Sequence, residues 1–385
     1  MLSHLSKYKF HIICFTFMLL LGINLSVYQT VLADINDFFG FEGASGGLLI
    51  TLFFLGALVA PVIAGELSDR LGKKSVLIAA SLIFIIGIVM VTQTTNVFIC
   101  GLGVFFIGSG SCTVEGLLSA KITDENPESS EKLMNFSQLF FCVGAVLGPM
   151  LSLAARTHGA DWQMIMLIVA IIFIPASFCI LLLSETKKKA IIKDKDEKDS
   201  AYSMILLKDK KFLLFFFSLL LYIGAESGVA FSVTGYFTND YQNGFSGEIA
   251  LSLFWLGMII GRFFAGVFHK ISDKIMIACI VSSIIFSFLL QFQHQVLFSV
   301  ALFFLIGLSY SAIWPLLMAF CTKAFPKYSG TAGGLMVTGG ALGGMSIPIL
   351  MSYVANVSSI RMSFIISTCS LVIILALYLS SRRSK

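Results

Sequence analysis

The chain has 385 residues, of which 57% are apolar and only 12% are charged, against about 25% charged residues in an ordinary soluble domain. So few charges cannot cover the surface of a soluble globule, which excludes a soluble enzyme. High hydrophobicity excludes intrinsic disorder. Apolar segments recur along the whole chain, so a single secretory signal does not explain them. The composition predicts an integral membrane protein.

Twelve apolar segments are each long enough to cross the hydrocarbon as a helix, which takes about 20 residues. They are continuous rather than alternating, so they predict helices and not a transmembrane barrel. Short polar turns at 92–96 and 291–295 separate neighbouring spans. In chain order the predicted spans are 10–33, 43–66, 75–92, 97–122, 133–155, 162–184, 212–239, 246–268, 275–292, 296–321, 329–354 and 359–380.

The basic residues predict the orientation. If the twelve spans alternate, every Lys and Arg except Arg156 and Arg361 falls on one side of the membrane. Basic residues collect on the cytoplasmic side, so we expect both termini in the cytoplasm and the protein in the plasma or inner membrane. The net charge of +5 follows from this bias and from contact with anionic lipid. It gives no reason to expect a nucleic-acid partner.

The longest polar stretch, 185–211, has mixed charge and separates six spans from six spans. It is typical of a solvated cytoplasmic linker. We therefore predict an all-α membrane protein with a six-helix bundle at 1–184 and a second at 212–385, and we expect a monomer.

A weak internal repeat supports two related halves. Gly144 and Pro149 in span 5 align with Gly343 and Pro348 in span 11 at a single offset. Parallel halves of this kind are a transporter architecture, with the substrate site between them at the membrane midplane.

Neither cofactor nor catalytic chemistry is indicated. The eight Cys lie within spans or at their ends, and none forms a CxxC motif, so we expect no disulfide, metal or cofactor. The sequence contains no HExxH motif, P-loop or nucleophile elbow, and no repeated filter loop of a channel. A membrane-embedded enzyme and a non-transporting sensor stay as alternatives to a transporter.

The loop after span 2 reads GELSDRLGKK at residues 65–74. Gly65 permits close approach at a helix end, and Asp69 can accept charge-assisted hydrogen bonds from helix N-termini or from Arg. The basic residues hold the loop in the cytoplasm. The loop resembles the signature of the major facilitator superfamily, which implies a latch between the two halves in the outward-open state. The predicted gating residues are Gly65, Asp69, Arg70, Gly72, Lys73, Lys74 and, in span 8, Arg262.

Two carboxylates lie within spans. Glu226 is near the middle of span 7, and Glu115 is in span 4, at a depth that depends on whether that helix ends at Lys121 or near Pro127. Charges are costly in a bilayer, so such groups usually face a cavity and have a function. Loss of water favours their neutral form, which makes both candidates for carrying a proton. The alternative is a structural carboxylate bonded to neighbouring helices.

A closer resemblance, to the fucose–galactose–glucose:proton symporters, is carried by short motifs in spans 4, 5, 7, 8, 10 and 11. They are Glu115-Gly, NFSQ at 135–138, YIGAE at 222–226, Trp255 with GRF at 261–263, Trp314-Pro315 and Tyr328-Ser-Gly330. The resemblance implies proton coupling at Glu115 and binding of sugar hydroxyls by Gln138 and Asn135. One departure is Gln29, which stands where the family has a coupling aspartate. Coupling is therefore altered, or transport is facilitated without protons.

Further polar residues in spans could line a sugar cavity: Asn24, Gln29, Gln138, Glu226 and Tyr310. Trp255 and Trp314 could stack on the sugar or could simply pack. The predicted function is proton-coupled uptake of a monosaccharide or similar small polar solute by alternating access. The main alternative is a drug:proton antiporter, because span 5 carries GxxxGP at 144–149. However, Ser152-Leu153 replaces the Gly-Gly of that signature, and Val104 stands where such antiporters have a membrane-embedded Arg.

Overall fold

The computed structural model describes residues 2–40, 48–183, 202–241 and 244–383, which are almost entirely helical. Among these residues, twelve helical segments are long and apolar enough to cross a membrane, and the predicted twelve-span, all-α class is confirmed. The helices are α1 Leu2–Phe39, α2 Leu48–Leu71, α3 Lys73–Thr92, α4 Val97–Glu125, α5 Ser130–Thr157, α6 Trp162–Cys179, α7 Tyr202–Leu206, α8 Lys210–Tyr241, α9 Gly244–Val267, α10 Ser272–Leu290, α11 Val296–Tyr310, α12 Ile313–Ala324, α13 Ser329–Val357 and α14 Ile360–Arg383.

Both predicted polar turns are present, one between α3 and α4 and the other between α10 and α11. Asn96 explains where α4 begins, because its side chain accepts hydrogen bonds from the N–H groups of Phe98 and Ile99, the usual N-cap arrangement. α4 then continues to Glu125. The longer of the two lengths considered for this helix is therefore the observed one.

The span predicted at 296–321 is present as Val296–Ala324, but it is not one continuous helix. α11 ends at Tyr310 and α12 begins at Ile313, with a turn at 311–312 between them. Pro315 lies in the first turn of α12, and its missing N–H leaves the carbonyl of Ser311 without a helical donor. A proline by itself does not end a helix here, because α2, α5 and α13 continue through Pro61, Pro149 and Pro348.

The chain forms two compact units. Unit 1 comprises Met1–Pro127, Phe140–Ile205 and Thr322–Thr338, and unit 2 comprises Glu128–Leu139, Leu206–Cys321 and Gly339–Lys385. Unit 1 thus contains the first turns of α13, and unit 2 contains the first turns of α5. Residues 184–201, which make up most of the predicted linker, lie outside the described residues, and the division into two six-helix bundles stays a prediction.

Glycines set the helix spacing inside unit 1. A Cβ added to Gly56 of α2 or to Gly108 of α4 would collide with the carbonyl oxygen of Phe105 or Phe53 on the facing helix. Small residues allow this close approach in membrane proteins, where packing replaces the hydrophobic effect as the force between helices.

In unit 2, glycines likewise allow α9 and α11 to pack closely. Gly257 and Gly307 lie against the carbonyl oxygens of Phe304 and Phe254. These rigid helix pairs hold the polar side chains described below.

Candidate functional site

The residues predicted for the site fall in both units. Unit 1 holds the whole 65–74 loop, together with Glu115, Asn24 and Gln29. Unit 2 holds the others: Glu226, Arg262, Asn135, Gln138, Trp255, Tyr310 and Trp314. The structure therefore collects the gating motif in unit 1, and it collects Glu226 and Arg262 in unit 2.

Asp69 binds the first turn of α13. Its carboxylate accepts hydrogen bonds from the N–H of Gly330 at 3.1 Å, the N–H of Thr331 at 2.7 Å and the hydroxyl of Thr331 at 2.9 Å. The first N–H groups of a helix have no partner within it and form the positive end of its dipole, so a carboxylate suits them. This fully buried side chain joins α2, from the first half of the chain, to α13, from the second.

Lys73 lies at the centre of a buried polar cluster. Its Nζ is 2.8 Å from Oδ2 of Asp124, 3.0 Å from Oγ of Ser329 and 3.4 Å from Oδ1 of Asp69. A buried ammonium group is tolerated only when charged and polar partners replace its lost hydration. Through Lys73 on α3, the cluster therefore connects α2, α4 and α13 by ion pairs and a hydrogen bond.

Glycine is required at two positions of the motif. A Cβ on Gly65 would lie 2.5 Å from the carbonyl oxygen of Gly330, so a larger residue would push α2 and α13 apart. Gly72 has a φ of 97°, in the left-handed region that favours glycine. It allows the sharp turn from α2 into α3.

Arg70 and Lys74 make contacts away from α13. Arg70 pairs with Glu66 at 2.8 Å and lies 4.6 Å from the ring centroid of Tyr202 in α7. Lys74 donates to the carbonyl of Leu181 at 2.6 Å. These two basic residues therefore anchor the loop to the segments that flank residues 184–201.

The other predicted residues of unit 1 differ in exposure. Glu115 is half-buried on α4, about 15 Å from the end of that helix at 1.5 Å per residue. Asn24 is buried on α1, whereas Gln29 is exposed. On α4 the hydroxyls of Ser109 and Thr113 are enclosed and have no hydrogen-bond partner in the described part of the chain.

In unit 2, the break between α11 and α12 leaves carbonyl groups that need donors. In a continuous helix the carbonyl of Ser311 would accept from the N–H of residue 315, but Pro315 has none. Nε of Arg262 donates to that carbonyl at 3.1 Å. The hydroxyl of Tyr222 donates to the carbonyl of Tyr310 at 2.9 Å. Side chains from α9 and α8 thus bind the two carbonyls at the break.

Glu226 lies one turn after Tyr222 on α8. Its side chain is half-buried, and its Oε2 is enclosed without a hydrogen-bond partner among the described residues. Arg262 and Tyr222 are its electrostatic neighbours. An enclosed carboxylate oxygen without a partner can take up a proton or accept a hydrogen bond from a hydroxyl.

The guanidinium group of Arg262 also reaches α5. Its Nη1 donates to the carbonyl of Gln138 at 3.1 Å, and the side chain is 3% exposed. Beside this contact the ring of Phe136 packs on that of Phe263, with centroids 6.2 Å apart. A Cβ added to Gly266 would lie 3.2 Å from the Phe136 ring.

The remaining predicted residues of unit 2 are mostly enclosed. The hydroxyl of Tyr310 is 2.7 Å from Oγ of Ser367. Asn135 donates from Nδ2 to the carbonyl of Glu131 at 2.8 Å, and its Oδ1 has no partner within the described ranges. Trp314 is buried and Trp255 is half-buried.

Sequence reasoning assigned no role to Tyr222 or Ser311. Tyr222 stood in a motif used for the family resemblance, and Ser311 gave no signal in hydropathy. A signal did exist, because Pro315 marks the carbonyl four residues before it as lacking a helical donor.

Unit 2 also contains a cavity of about 440 Å³ where the C-terminal ends of α8 and α13 meet the start of α14. Among the described residues, none that the sequence predicted for the site lines it. The lining residues are Phe231, Ser232, Gly235, Pro348, Ser352, Ala355, Asn356, Ser359 and Ile360.

The sequence and the fold both match known proteins. The family model described as Major Facilitator Superfamily matches residues 14–274 and 215–385. The crystal structure of FucP in the outward conformation aligns with a TM-score of 0.85 at 16% identity, over 96% of this chain and 98% of FucP. A further structure of FucP describes it as the fucose:proton symporter of E. coli.

Among curated relatives, the glucose/mannose transporter GlcP of Bacillus subtilis (strain 168) is 24% identical over 353 residues, which are 87% of this chain and 84% of GlcP. The multidrug resistance protein MdtL of Shigella flexneri serotype 5b (strain 8401) is 25% identical over 185 residues, 46% of each chain. The similarity to the sugar transporter GlcP therefore extends over nearly twice as many residues as the similarity to MdtL.

Proposed function

Because the chain belongs to the Major Facilitator Superfamily, we propose that it is a secondary active transporter that takes up a monosaccharide, or a similar small polar solute, together with protons. Similarity to GlcP over most of the chain supports a sugar as the solute. The similarity in fold to FucP, which is a fucose:proton symporter, supports proton coupling. Alternating access is the transport mode that fits this architecture.

The observation that carries the proposal is Glu226. It is a carboxylate on a membrane-spanning helix, with one oxygen enclosed and unpartnered among the described residues and with Arg262 and Tyr222 beside it. Ionisable groups at membrane depth are costly and are retained for transport of ions and solutes. In our proposal Glu226 accepts hydrogen bonds from sugar hydroxyls and is one of two candidates for the proton site.

Glu115 is the first candidate for the proton site, because it is the span-4 carboxylate to which the resemblance to the fucose–galactose–glucose:proton symporters points. Gln29 cannot titrate, so one proton site rather than two is the simpler expectation, with Glu115 and Glu226 as the candidates for it. The proposed solute ligands, besides Glu226, are Asn24, Gln29, Asn135, Gln138, Trp255, Tyr310 and Trp314. The loop at 65–74 and Arg262 are proposed to gate the cycle.

We further propose a monomer in the plasma or inner membrane with both termini in the cytoplasm, because the basic residues favour that side. A reporter fused after Lys385 tests this orientation. A signal from the outer side of the membrane would overturn it.

The function is tested with purified protein in liposomes. A thermal-shift screen of monosaccharides in detergent first identifies the sugar that raises the unfolding temperature. Uptake of that labelled sugar is then measured with and without an imposed pH gradient, acid outside. Accumulation that requires the gradient is expected. Uptake at the same rate with and without the gradient would exclude proton coupling. Drug efflux without sugar uptake would favour the antiporter.

Two variants locate the coupling. Glu115→Gln mimics a permanently protonated carboxyl group of similar volume, so it should abolish uphill accumulation while exchange of sugar across the membrane persists. Glu226→Gln should weaken sugar binding by about tenfold, the effect of losing a charge-assisted hydrogen bond. If Glu115→Gln still accumulates sugar, the coupling role moves to Glu226.

A further inference from the structure

The cavity of about 440 Å³ in unit 2 has a neutral, polar lining that the proposed transport site does not use. It lies at one end of the apolar spans of α8, α13 and α14, and its volume is that of a small-molecule site. None of its described lining residues is charged. The polar groups among them are the hydroxyls of Ser232, Ser352 and Ser359 and the amide of Asn356.

Three of these polar groups are available to a ligand. The hydroxyls of Ser232 and Ser352 and the amide of Asn356 form no hydrogen bond within the described ranges of the chain. A helical serine can bond to the carbonyl one turn earlier, as Ser346 of α13 does with Leu342 at 2.8 Å. Ser352 of the same helix does not. All three side chains can therefore donate hydrogen bonds to a ligand and accept them from it.

An aromatic ring completes the lining. Phe231 of α8 lines the cavity and is 67% exposed. Hydroxyl and amide groups that fix a ligand, beside an apolar ring that packs against it, suit a neutral molecule with many hydroxyl groups. A phosphate or carboxylate ligand needs a cation, and no described lining residue supplies one.

The walls of the cavity are held in place by contacts outside it. A Cβ added to Gly235 of α8 would lie 3.6 Å from Cδ1 of Ile360 on α14, so the two helices already touch here. The next residue, Arg361, lies 5.5 Å from the ring centroid of Tyr236 and donates to the carbonyl of Gln293. This cation therefore fixes the wall without lining the cavity. Walls held before binding reduce the entropy that a ligand must lose.

We propose that this cavity is a second binding site, separate from the transport site, for a neutral polyhydroxylated solute of the monosaccharide class. Ser232, Ser352 and Asn356 bind the hydroxyl groups, and Phe231 packs against the ring. The choice of solute rests on the proposed function. In the proposed orientation α8 begins on the cytoplasmic side at Lys210, so the site lies at its outer end, where uptake begins.

The test places a reporter in the site. Phe231→Trp exchanges one exposed aromatic ring for another whose fluorescence changes when a sugar packs against it. Purified protein in detergent is titrated with glucose, mannose and fucose, the sugars named for GlcP and FucP. We expect a saturable change with at least one of them. Gluconate, which has similar hydroxyl groups and a negative charge, should give none. The absence of a saturable change with all three sugars would overturn the inference.

Variants in the reporter background locate the binding. Asn356→Leu should weaken sugar binding by about tenfold, the effect of losing a hydrogen bond. The matched pair is Ser352→Ala against Ser346→Ala, two exposed serines of α13 of which only Ser352 lines the cavity. The first should weaken binding, and the second should leave it within about twofold of the reporter protein. Equal affinities in this pair, or an unchanged affinity in Asn356→Leu, would overturn the inference.

A further variant separates the two sites. Glu226 does not line the cavity, so Glu226→Gln should leave the fluorescence titration unchanged. A lost signal in this variant would mean that the ring reports the transport site, which would overturn a second site. Should Phe231→Trp fail to fold, equilibrium dialysis with labelled sugar replaces it. Wild type should then bind a second equivalent that Asn356→Leu lacks, and equal stoichiometry would overturn the inference.

The outcomes for this site and for the proposed function are distinguishable. Uptake driven by the pH gradient, without saturable binding at the reporter, would remove only the second site. Saturable binding at the reporter in protein that does not transport the sugar would remove only the proposed function.

Discussion

Helices from the two halves of the chain meet within each unit, and two of these junctions, one from each unit, are built differently. In unit 1, α2 meets α13 through backbone, with Gly65 against the carbonyl of Gly330, and through the buried carboxylate of Asp69. In unit 2, α9 meets α5 through side chains, with Phe263 on Phe136 and with Arg262 on a carbonyl.

The difference lies in how far each junction can adjust. Backbone atoms in contact cannot move without displacing their helices, whereas a phenylalanine ring or a guanidinium group can rotate. The α2–α13 junction therefore fits only one arrangement of its two helices, whereas the α5–α9 junction can adjust through small side-chain movements. We call the α2–α13 contact the rigid junction and the α5–α9 contact the adaptable junction.

The aspartate that follows α9 in the chain, Asp273, has a different place and a different partner from Asp69. Asp273 lies in the first turn of α10 and accepts a hydrogen bond from the hydroxyl of Tyr378 on α14 at 2.6 Å. Asp69 instead binds the first turn of α13. The corresponding stretch of the second half reads GVFHKISDK at 266–274, so Lys270 stands where the alignment of Gly266 with Gly65 would place the counterpart of Asp69. The loop motif of the first half is therefore not repeated in the second.

The largest effect should come from the paired changes Gly65→Ala and Gly266→Ala. The first places a Cβ 2.5 Å from a backbone oxygen, and the second places one 3.2 Å from a ring that can move. We expect Gly65→Ala to cost about 1–3 kcal/mol of stability, as overpacking does, and to abolish transport. Gly266→Ala should cost less than about 1 kcal/mol, because higher helix propensity offsets the strain. Equal losses of unfolding temperature in the two variants would remove the distinction.

The next effect concerns the charge at the rigid junction. Asp69→Asn keeps the shape but weakens charge-assisted bonds to α13, so we expect transport to slow about tenfold while the fold stays intact. Initial uptake rates measure this. The control is Glu66→Gln, which changes a partly exposed carboxylate in the same helix and should change the rate less than twofold. Wild-type uptake by Asp69→Asn would reduce the loop to a topology signal.

A smaller effect is expected at the adaptable junction. Phe136→Ala removes a half-buried ring from Phe263 and Gly266, which should cost about 1 kcal/mol from lost apolar burial. Because Arg262 still binds Gln138 on the same helix, transport should continue at a reduced rate. Complete loss of uptake with an unchanged unfolding temperature would contradict an adjustable contact.

The smallest effect should follow Thr338→Val. The hydroxyl of Thr338 donates to the carbonyl of Leu58 on α2 at 2.9 Å, but a helical carbonyl has its own backbone donor, so the net loss should stay below about 1 kcal/mol. Thermal unfolding in detergent would detect a larger loss. Such a result would mean that polar contacts, and not glycine packing, hold the rigid junction.

The helices were predictable because the bilayer leaves a chain few options: long apolar runs must become helices, and polar turns such as 92–96 must lie between them. The break after Tyr310 was not predicted from hydropathy, because Ser311 and Ala312 are small residues that a continuous span accommodates. Pro315 carried that information, in the missing donor to a carbonyl one turn earlier.

The site was predictable in its residue types but not in its partners. Glu226 and Arg262 were both selected from the sequence, yet they were given separate tasks. Their electrostatic link depends on how α8 packs beside α9, and no periodicity within either helix encodes that packing. The same limit applies to Tyr310, whose polar hydroxyl suggested a cavity but lies against Ser367.

Lys73 gives the rigid junction a chemical signature. An amine held by two carboxylates and a hydroxyl reacts slowly with acylating reagents, because it is buried. Its sequence neighbour Lys74 is less buried and serves as an internal reference in the same peptide. The ratio of labelling at Lys73 to labelling at Lys74 therefore measures how often α13 leaves α2 during turnover, in membranes and without an engineered probe.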